Sequence, residues 1–199
     1  MMNSDVTIIG LCGKKFSGKT TCTDYLVENY GFKELAFADP MKQAMLLIFR
    51  LHPDQLYHPD HKEVQDDYWK ATPREMMQVM GDILSEDLPR RLPQLGDSVL
   101  IRGLERQLEQ ESKSHKRFVI SDCRRHSEWM FLLKIGARTV RIHRPRLKKD
   151  SDAHCTENEL ENLAIYTPDY LLMNDASVED LYKKLDQLCE SLLLCETNN

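Results

Sequence analysis

Short apolar runs alternate along this chain with longer stretches in which apolar residues recur every three or four positions, the rhythm of a parallel sheet flanked by helices. Val6 to Cys12 is the first strand-like run, and helical spacing follows from about Lys19 to Tyr30. Gly31 then suits the left-handed position that closes a helix. Glu34 to Ala38 is a brief second strand, after which Pro40 fits the first turn of a helix reaching about Leu51. Met41, Ala44, Met45, Ile48 and Phe49 line one side of that helix. His52 to Lys70 is polar, broken by prolines and without apolar period, and reads as a loop with a short helix. Thr72-Pro73-Arg74-Glu75 is a helix start with Thr as N-cap, Pro at the first position and Glu at the third. Met76, Met77, Met80, Ile83 and Leu84 follow as core filling, and Pro89 ends the helix. A helix from about Ser98 to Glu111 precedes Arg117 to Ser121, a buried central strand by its Phe118-Val119-Ile120, with Asp122 at its carboxyl end. Ser127 to Ile135 reads as a helix closed by Gly136, Arg138 to His143 as a strand and Asp169 to Met173 as the last strand. Val178 to about Leu194 is the final helix, with Leu181, Leu185, Leu188 and Leu192 on one face. Such five-stranded α/β sheets bind ligands at the carboxyl ends of the strands, where this reading puts Gly13, Asp39, Asp122 and Arg144.

At 199 residues the chain can bury a full core as one domain without disulfides or metals. Lys plus Arg number 27 against 32 Asp plus Glu, a net charge of −5. That balance offers no basic stripe for gripping DNA or RNA, so nucleic acid is not an expected partner. Cys12, Cys22, Cys123, Cys155, Cys189 and Cys195 show neither a C-x-x-C pair nor zinc spacing, which suits free thiols in a reducing compartment. His52, His58 and His61 are irregularly spaced and lack a fourth ligand, so they do not read as a metal site. The first residues have no signal layout and no apolar run approaches a bilayer span. The expectation is a soluble cytoplasmic protein with no membrane partner, and a homodimer is left open.

Chemistry concentrates in Gly13-Lys14-Lys15-Phe16-Ser17-Gly18-Lys19-Thr20, set between the first strand and the first helix. Gly13 and Gly18 let the backbone curl so that successive N–H groups face an anion, and the helix adds its positive dipole end. Lys19 would reach the β/γ-phosphates of a nucleoside triphosphate and the Thr20 hydroxyl would ligate Mg²⁺. Asp122 is placed as the acidic partner for that metal; its plain alternative is an N-cap or surface carboxylate. Positive charge gathers at Arg124-Arg125 and at Arg144-Pro-Arg146-Leu-Lys148-Lys149, the second with the composition of a lid over phosphates, although a charge run alone is a solvated face. Lys42 and Arg74, each in the first turn of a helix, can hold an acceptor anion, and Gln78, one turn after Arg74, can read a base edge. Surface charges supporting their own helices remain the alternative for each.

The segments Gly13 to Lys19, Phe37-Ala38-Asp39-Pro40-Met41-Lys42 and Thr72 to Gly81 stand in the order seen in phage-type and viral deoxynucleoside monophosphate kinases. Ser121-Asp122-Cys123-Arg124, Arg144-Pro145, Asp152-Ala153-His154-Cys155-Thr156-Glu157 and Asn174-Asp175-Ala176-Ser177 look like that family's Walker B segment, lid and nucleotide-side loop. Nearly the whole chain therefore resembles this family. The resemblance implies a three-layer P-loop NTPase fold of the nucleoside-monophosphate-kinase type. It would be a single domain over 1–199, with an acceptor-side insertion at about 40–97 and a lid at about 144–157. It also implies ATP- and Mg²⁺-dependent phosphorylation of deoxynucleoside 5′-monophosphates to diphosphates. Lys19, Arg124, Arg144 and Asp39 are the implied catalytic residues. The implied ATP-binding residues are Gly13, Lys14, Lys15, Ser17, Gly18, Lys19, Thr20, Thr21, Arg144, Asn174, Asp175 and Ala176, with Ala176 standing where a glycine is common. Asp39, Lys42, Arg74, Gln78, Arg124, His154 and Glu157 would bind the acceptor, and Thr20 and Asp122 the metal. Animal-type phosphomevalonate kinase shares the loop and a segment like Ser121 to Arg125, but Phe37 to Lys42 and Asp152 to Glu157 favour the nucleotide kinase. The chain lacks the D-x-x-G and N-K-x-D segments of a GTP switch, and intact Lys19, Thr20 and Asp122 argue against a non-enzymatic nucleotide-binding module.

Overall fold

Near-continuous burial of Thr7–Cys12 (β1), the mark of a strand covered on both faces, puts it at the centre of a five-stranded, wholly parallel sheet. A computed structural model describes residues 5–96, 98–145 and 166–196. The other strands are β2 (Lys33–Leu35), β3 (Arg117–Cys123), β4 (Arg138–His143) and β5 (Tyr170–Met173), in the order β2-β3-β1-β4-β5. Ile8 pairs with Phe118 and Cys12 with Cys123 on one side of β1, and Cys12 pairs with Arg141 on the other. The carboxyl ends of the three central strands therefore lie side by side.

The chain divides into two compact units, Met1–Ala36 with Leu108–Asn199 and Phe37–Gln107. The first holds the sheet with α1 (Lys19–Tyr30), α7 (His126–Lys134) and α8 (Val178–Glu196). Its core joins Ile9, Leu11 and Val119 of the sheet to Leu26 of α1 and to Leu181, Leu185 and Leu188 of α8. Gly10 lets α7 press on β1, because a Cβ there would lie 2.5 Å from the Leu132 Cδ1. The second unit holds α2 (Asp39–Ile48), α3 (Pro53–Tyr57), α4 (Pro73–Asp82), α5 (Leu88–Arg91) and most of α6 (Val99–Glu111). Phe37, Met45, Leu56 and Leu104 are its fully buried side chains.

Several sequence expectations need correction. β2 stops at Leu35, its last pairing with β3, so Asp39 stands in the first turn of α2 instead of at a strand end. Along α2 the buried positions Met41 and Met45 repeat every fourth residue, which brings half-buried Phe49 into line and leaves Ile48 60% exposed. Met76, Met77 and Met80 are only half-buried, because α2, α3 and α6 supply the core of this unit instead. Pro89 does not end the helix. Ile83–Asp87 widens into a π turn, with the Leu88 N–H donating to the Ile83 carbonyl, and α5 follows with Pro89 in its first turn. A proline has no N–H to offer the preceding turn, and the wider turn carries the chain past it. Asp169 lies outside β5, where its Oδ2 accepts from the Thr139 amide at 2.7 Å and the Thr139 hydroxyl at 2.8 Å. Asp122 lies within β3.

Candidate active site

β1 delivers the chain into a loop whose shape its glycines permit. Gly13 has φ +147° and Gly18 φ +109°, and Phe16 between them also takes positive φ. A Cβ on Gly13 would lie 2.5 Å from the Ile142 carbonyl oxygen, which is backbone and cannot yield. The Ser17 amide donates to the Lys14 carbonyl at 3.1 Å, closing the turn. Lys19, the first residue of α1, folds its ammonium over this turn and donates to the Gly13 carbonyl at 2.6 Å and the Lys14 carbonyl at 2.8 Å. No side chain caps the start of α1, and its first turn holds no acidic residue. Its N-terminal amides and dipole are thus not matched by a carboxylate of the helix itself. Ser17 Oγ is buried without a hydrogen-bond partner. An orphaned hydroxyl, an uncapped helix start and a lysine on one curled loop suit an anion of phosphate size. Lys14 and Lys15 are half-buried in the loop, Thr20 is exposed and Thr21 half-buried on α1.

Two neighbouring segments support this loop. From the end of β5, Asn174 Nδ2 donates to the Ser17 carbonyl at 2.8 Å, packed so closely that a Cβ on Gly18 would lie 2.6 Å from it. Lys184 of α8 holds the same segment by the Met173 carbonyl and the Asp175 carboxylate, the latter at 3.2 Å, while Ala176 is exposed. At the end of β4, the Arg144 guanidinium donates to the Phe16 carbonyl at 3.4 Å. Beside β1, β3 carries Asp122 and then turns through exposed Arg124 into α7. Buried Glu128 accepts from the Arg124 amide at 2.8 Å and the Arg125 amide at 3.0 Å. Burial, followed by the neighbouring charge of Asp122, pushes its carboxyl above the usual range against those two amides. Burial likewise pushes the Cys12 thiol up to about 11 and the Cys22 thiol up to about 12, so neither is primed as a nucleophile.

The second unit holds the acceptor candidates. Lys42 Nζ is 3.1 Å from Asp39 Oδ1 and 5.0 Å from the centroid of the Tyr57 ring. Arg74 Nε donates to Glu63 Oε1 at 2.5 Å, and half-buried Gln78 stands one turn further along α4. The start of α4 is closed by its own capping box, in which Thr72 Oγ1 accepts from the Glu75 amide and Glu75 Oε2 from the Thr72 amide. The helix-terminus share of anion binding expected there is therefore partly taken, which leaves the Arg74 side chain as the candidate contact. Among the described residues no group of three or more His, Cys, Asp or Glu is arranged to hold a metal ion. His52 instead caps α3, and His58 and His61 lie ring against ring at 4.7 Å. His154, Glu157 and most of the expected lid lie outside the described residues.

A family model described as deoxynucleotide monophosphate kinase matches residues 60–185, which include Arg74, Gln78, Asp122, Arg124 and Arg144. The chain belongs to the deoxynucleotide monophosphate kinase family. A protein of Acanthamoeba polyphaga mimivirus provisionally named for that activity is 36% identical over 90% of this chain and 94% of its own. The deoxynucleotide monophosphate kinase of Enterobacteria phage T4 is 22% identical over 89% of this chain and 96% of its own. The solved structure of shikimate kinase from Aquifex aeolicus aligns over 94% of this chain and 99% of its own, at 14% identity and a TM-score of 0.47. Membership of the deoxynucleotide monophosphate kinase family makes the chain a phosphotransferase and goes against the phosphomevalonate kinase likeness. Within this kinase the sequence missed Glu128, Tyr57 and Glu63. Only Glu128 carried a local signal, a Glu three residues after Arg125, the N-cap of α7.

Proposed function

We propose that this kinase transfers the γ-phosphoryl group of ATP to the 5′-phosphate of a deoxynucleoside monophosphate. The observation that carries the donor side is the loop Gly13 to Thr20, with Ser17 Oγ buried and unpartnered and Lys19 bound over the turn. Lys19 exchanges loop carbonyls for phosphate oxygens and follows the charge that shifts toward the β-phosphate. Gly13, Lys14, Lys15, Ser17, Gly18, Thr20 and Thr21 surround the polyphosphate, and Asn174, Asp175 and Ala176 border the nucleoside. Thr20 and Asp122 offer hard oxygen donors that would hold Mg²⁺, and the ion would supply neutralisation of phosphate charge. An oxygen of the acceptor phosphate attacks the γ-phosphorus as the bond to the β-bridging oxygen breaks, giving the deoxynucleoside diphosphate and ADP. Arg124 and Arg144 neutralise the migrating group, with Arg144 moving off the Phe16 carbonyl to do so.

Asp39, Lys42, Arg74, Gln78, His154 and Glu157 form the acceptor set, with Arg74 on the phosphate and Gln78 on the base edge. The test is ADP release measured for each deoxynucleoside and ribonucleoside monophosphate, with wild type, Arg74→Ala and Gln78→Ala. Arg74→Ala should raise the acceptor KM and lower kcat while leaving the ATP KM nearly unchanged. Gln78→Ala should cost about 1–3 kcal/mol for the favoured base and less for the others. Equal losses for all bases would remove Gln78 from base reading, and no turnover with any deoxynucleotide would overturn the proposal as a whole.

A further inference from the structure

The polar segment that the sequence leaves without a role ends against the start of α4. His61–Glu63 forms a single 3₁₀ turn, and Glu63 meets Arg74 edge-on, Oε1 to Nε, at 2.5 Å. The Arg74 side chain is 21% exposed and that of Glu63 50%. A guanidinium has two edges, one at Nε and one across its terminal amino groups, and only the terminal fork matches two phosphate oxygens end-on. In Arg74 the Nε edge is taken, while the terminal amino groups make no hydrogen bond among the described residues. The backbone from which the side chain springs is pinned by the Thr72–Glu75 cap. Arg74 is thus held at both ends with its fork open.

We propose that Glu63 is a positioning residue of the acceptor site, aiming the terminal fork of Arg74 at the acceptor phosphate. The inference rests on the reading of Arg74 as the residue that grips that phosphate. Two effects of Glu63 oppose one another. Its carboxylate lowers the positive potential an incoming phosphate feels, but it also removes the rotamer freedom that a long arginine would lose on binding. Because the pair is partly exposed, water and salt weaken the first effect. The second persists, since in-line transfer depends on where the acceptor oxygen is held. Lys42 of the same unit is restrained in the same manner, by the Asp39 carboxylate and the Tyr57 ring.

The experiment is steady-state kinetics of the full chain at saturating ATP with the deoxynucleotide that wild type uses best. Glu63→Ala should lower acceptor kcat/KM by about ten- to a hundredfold with the ATP KM unchanged. Glu63→Gln, whose amide oxygen still accepts from Nε, should stay within about threefold of wild type. In an Arg74→Ala background Glu63→Ala should add no further loss, since its effect runs through that side chain. Glu63 is half-exposed on a single turn, so thermal midpoints should stay close to wild type. Full acceptor kinetics in Glu63→Ala beside a crippled Arg74→Ala would overturn the positioning role alone. A lower acceptor KM in Glu63→Ala would recast the carboxylate as a competitor for the fork. Unaltered kinetics in Arg74→Ala would remove Arg74 from the acceptor site, and the inference with it.

Discussion

Gly13 and Gly18 both carry positive φ, yet their surroundings differ in a way that separates their substitutions. A Cβ on Gly13 would meet the Ile142 carbonyl at 2.5 Å and Ser17 Oγ at 2.8 Å, whereas one on Gly18 would meet the amide end of the Asn174 side chain at 2.6 Å. Backbone of a central strand cannot move aside, but a side-chain amide can rotate. Gly13→Ala should therefore abolish nucleotide binding, while Gly18→Ala weakens it by severalfold and frees Asn174 from the Ser17 carbonyl. Titration with a fluorescent ATP analogue distinguishes the two, and equal affinities would contradict the packing argument. Lys19→Ala should cost at least about a hundredfold in kcat, the scale of losing one aimed charge stabiliser in a dry site. Its fold should survive by circular dichroism. Turnover above a tenth of wild type would remove Lys19 from the phosphoryl path.

At the scale of elements, the turn from β3 into α7 is held in part by one carboxyl. Glu128 serves the amides of both Arg124 and Arg125, so its removal takes the buried acceptor from two part-buried donors. Glu128→Ala should destabilise by about 1–3 kcal/mol. Glu128→Gln should cost much less, because its amide oxygen still accepts and burial already works against the charged form. Urea midpoints of the two variants test this, and equal losses would mean that the charge, not the acceptor, holds the turn. Such turns mark where the sequence stops being readable. β4 and the first helix run as their patterns predict, and the phosphate loop is legible because its chemistry lies in eight consecutive residues. The bond from Asn174 to Ser17 spans 157 positions and leaves no local trace. The ion pair of Glu63 with Arg74 is hidden likewise, in a stretch with no apolar period. Pro89 misled because a π turn lets a helix pass a proline, and the Met stripe because helical spacing marks a face without saying how fully it is covered.

For the molecule as a whole, the sheet unit buries thiols that bear on its behaviour in alkali. Cys12, Cys22, Cys123 and Cys189 are buried thiols outside any disulfide, and among the described residues no helix is long and apolar enough to cross a membrane. Desolvation pushes Cys12 up to about 11 and Cys22 and Cys189 up to about 12, against an ordinary 9.0. The Tyr30 hydroxyl is pushed up too, first by its hydrogen bond to Asp186 and then by burial. Each folded-state value lies above the unfolded one, so between them the native chain holds protons that the unfolded chain has released. Stability from these groups is complete below pH 9 for the thiols and is lost as pH climbs toward 11 to 12. The slope is about 1.4 kcal/mol per pH unit for each thiol. Urea unfolding in the presence of reductant should therefore show a stable plateau from pH 7.5 to 8.5 and a steep fall by pH 10.5. Cys22→Ala and Cys189→Ala should flatten that fall whatever they do to the plateau, because alanine has no proton to release. A profile that stays level to pH 10.5, or that falls as steeply in the two variants as in wild type, would show that these thiols do not govern alkaline unfolding.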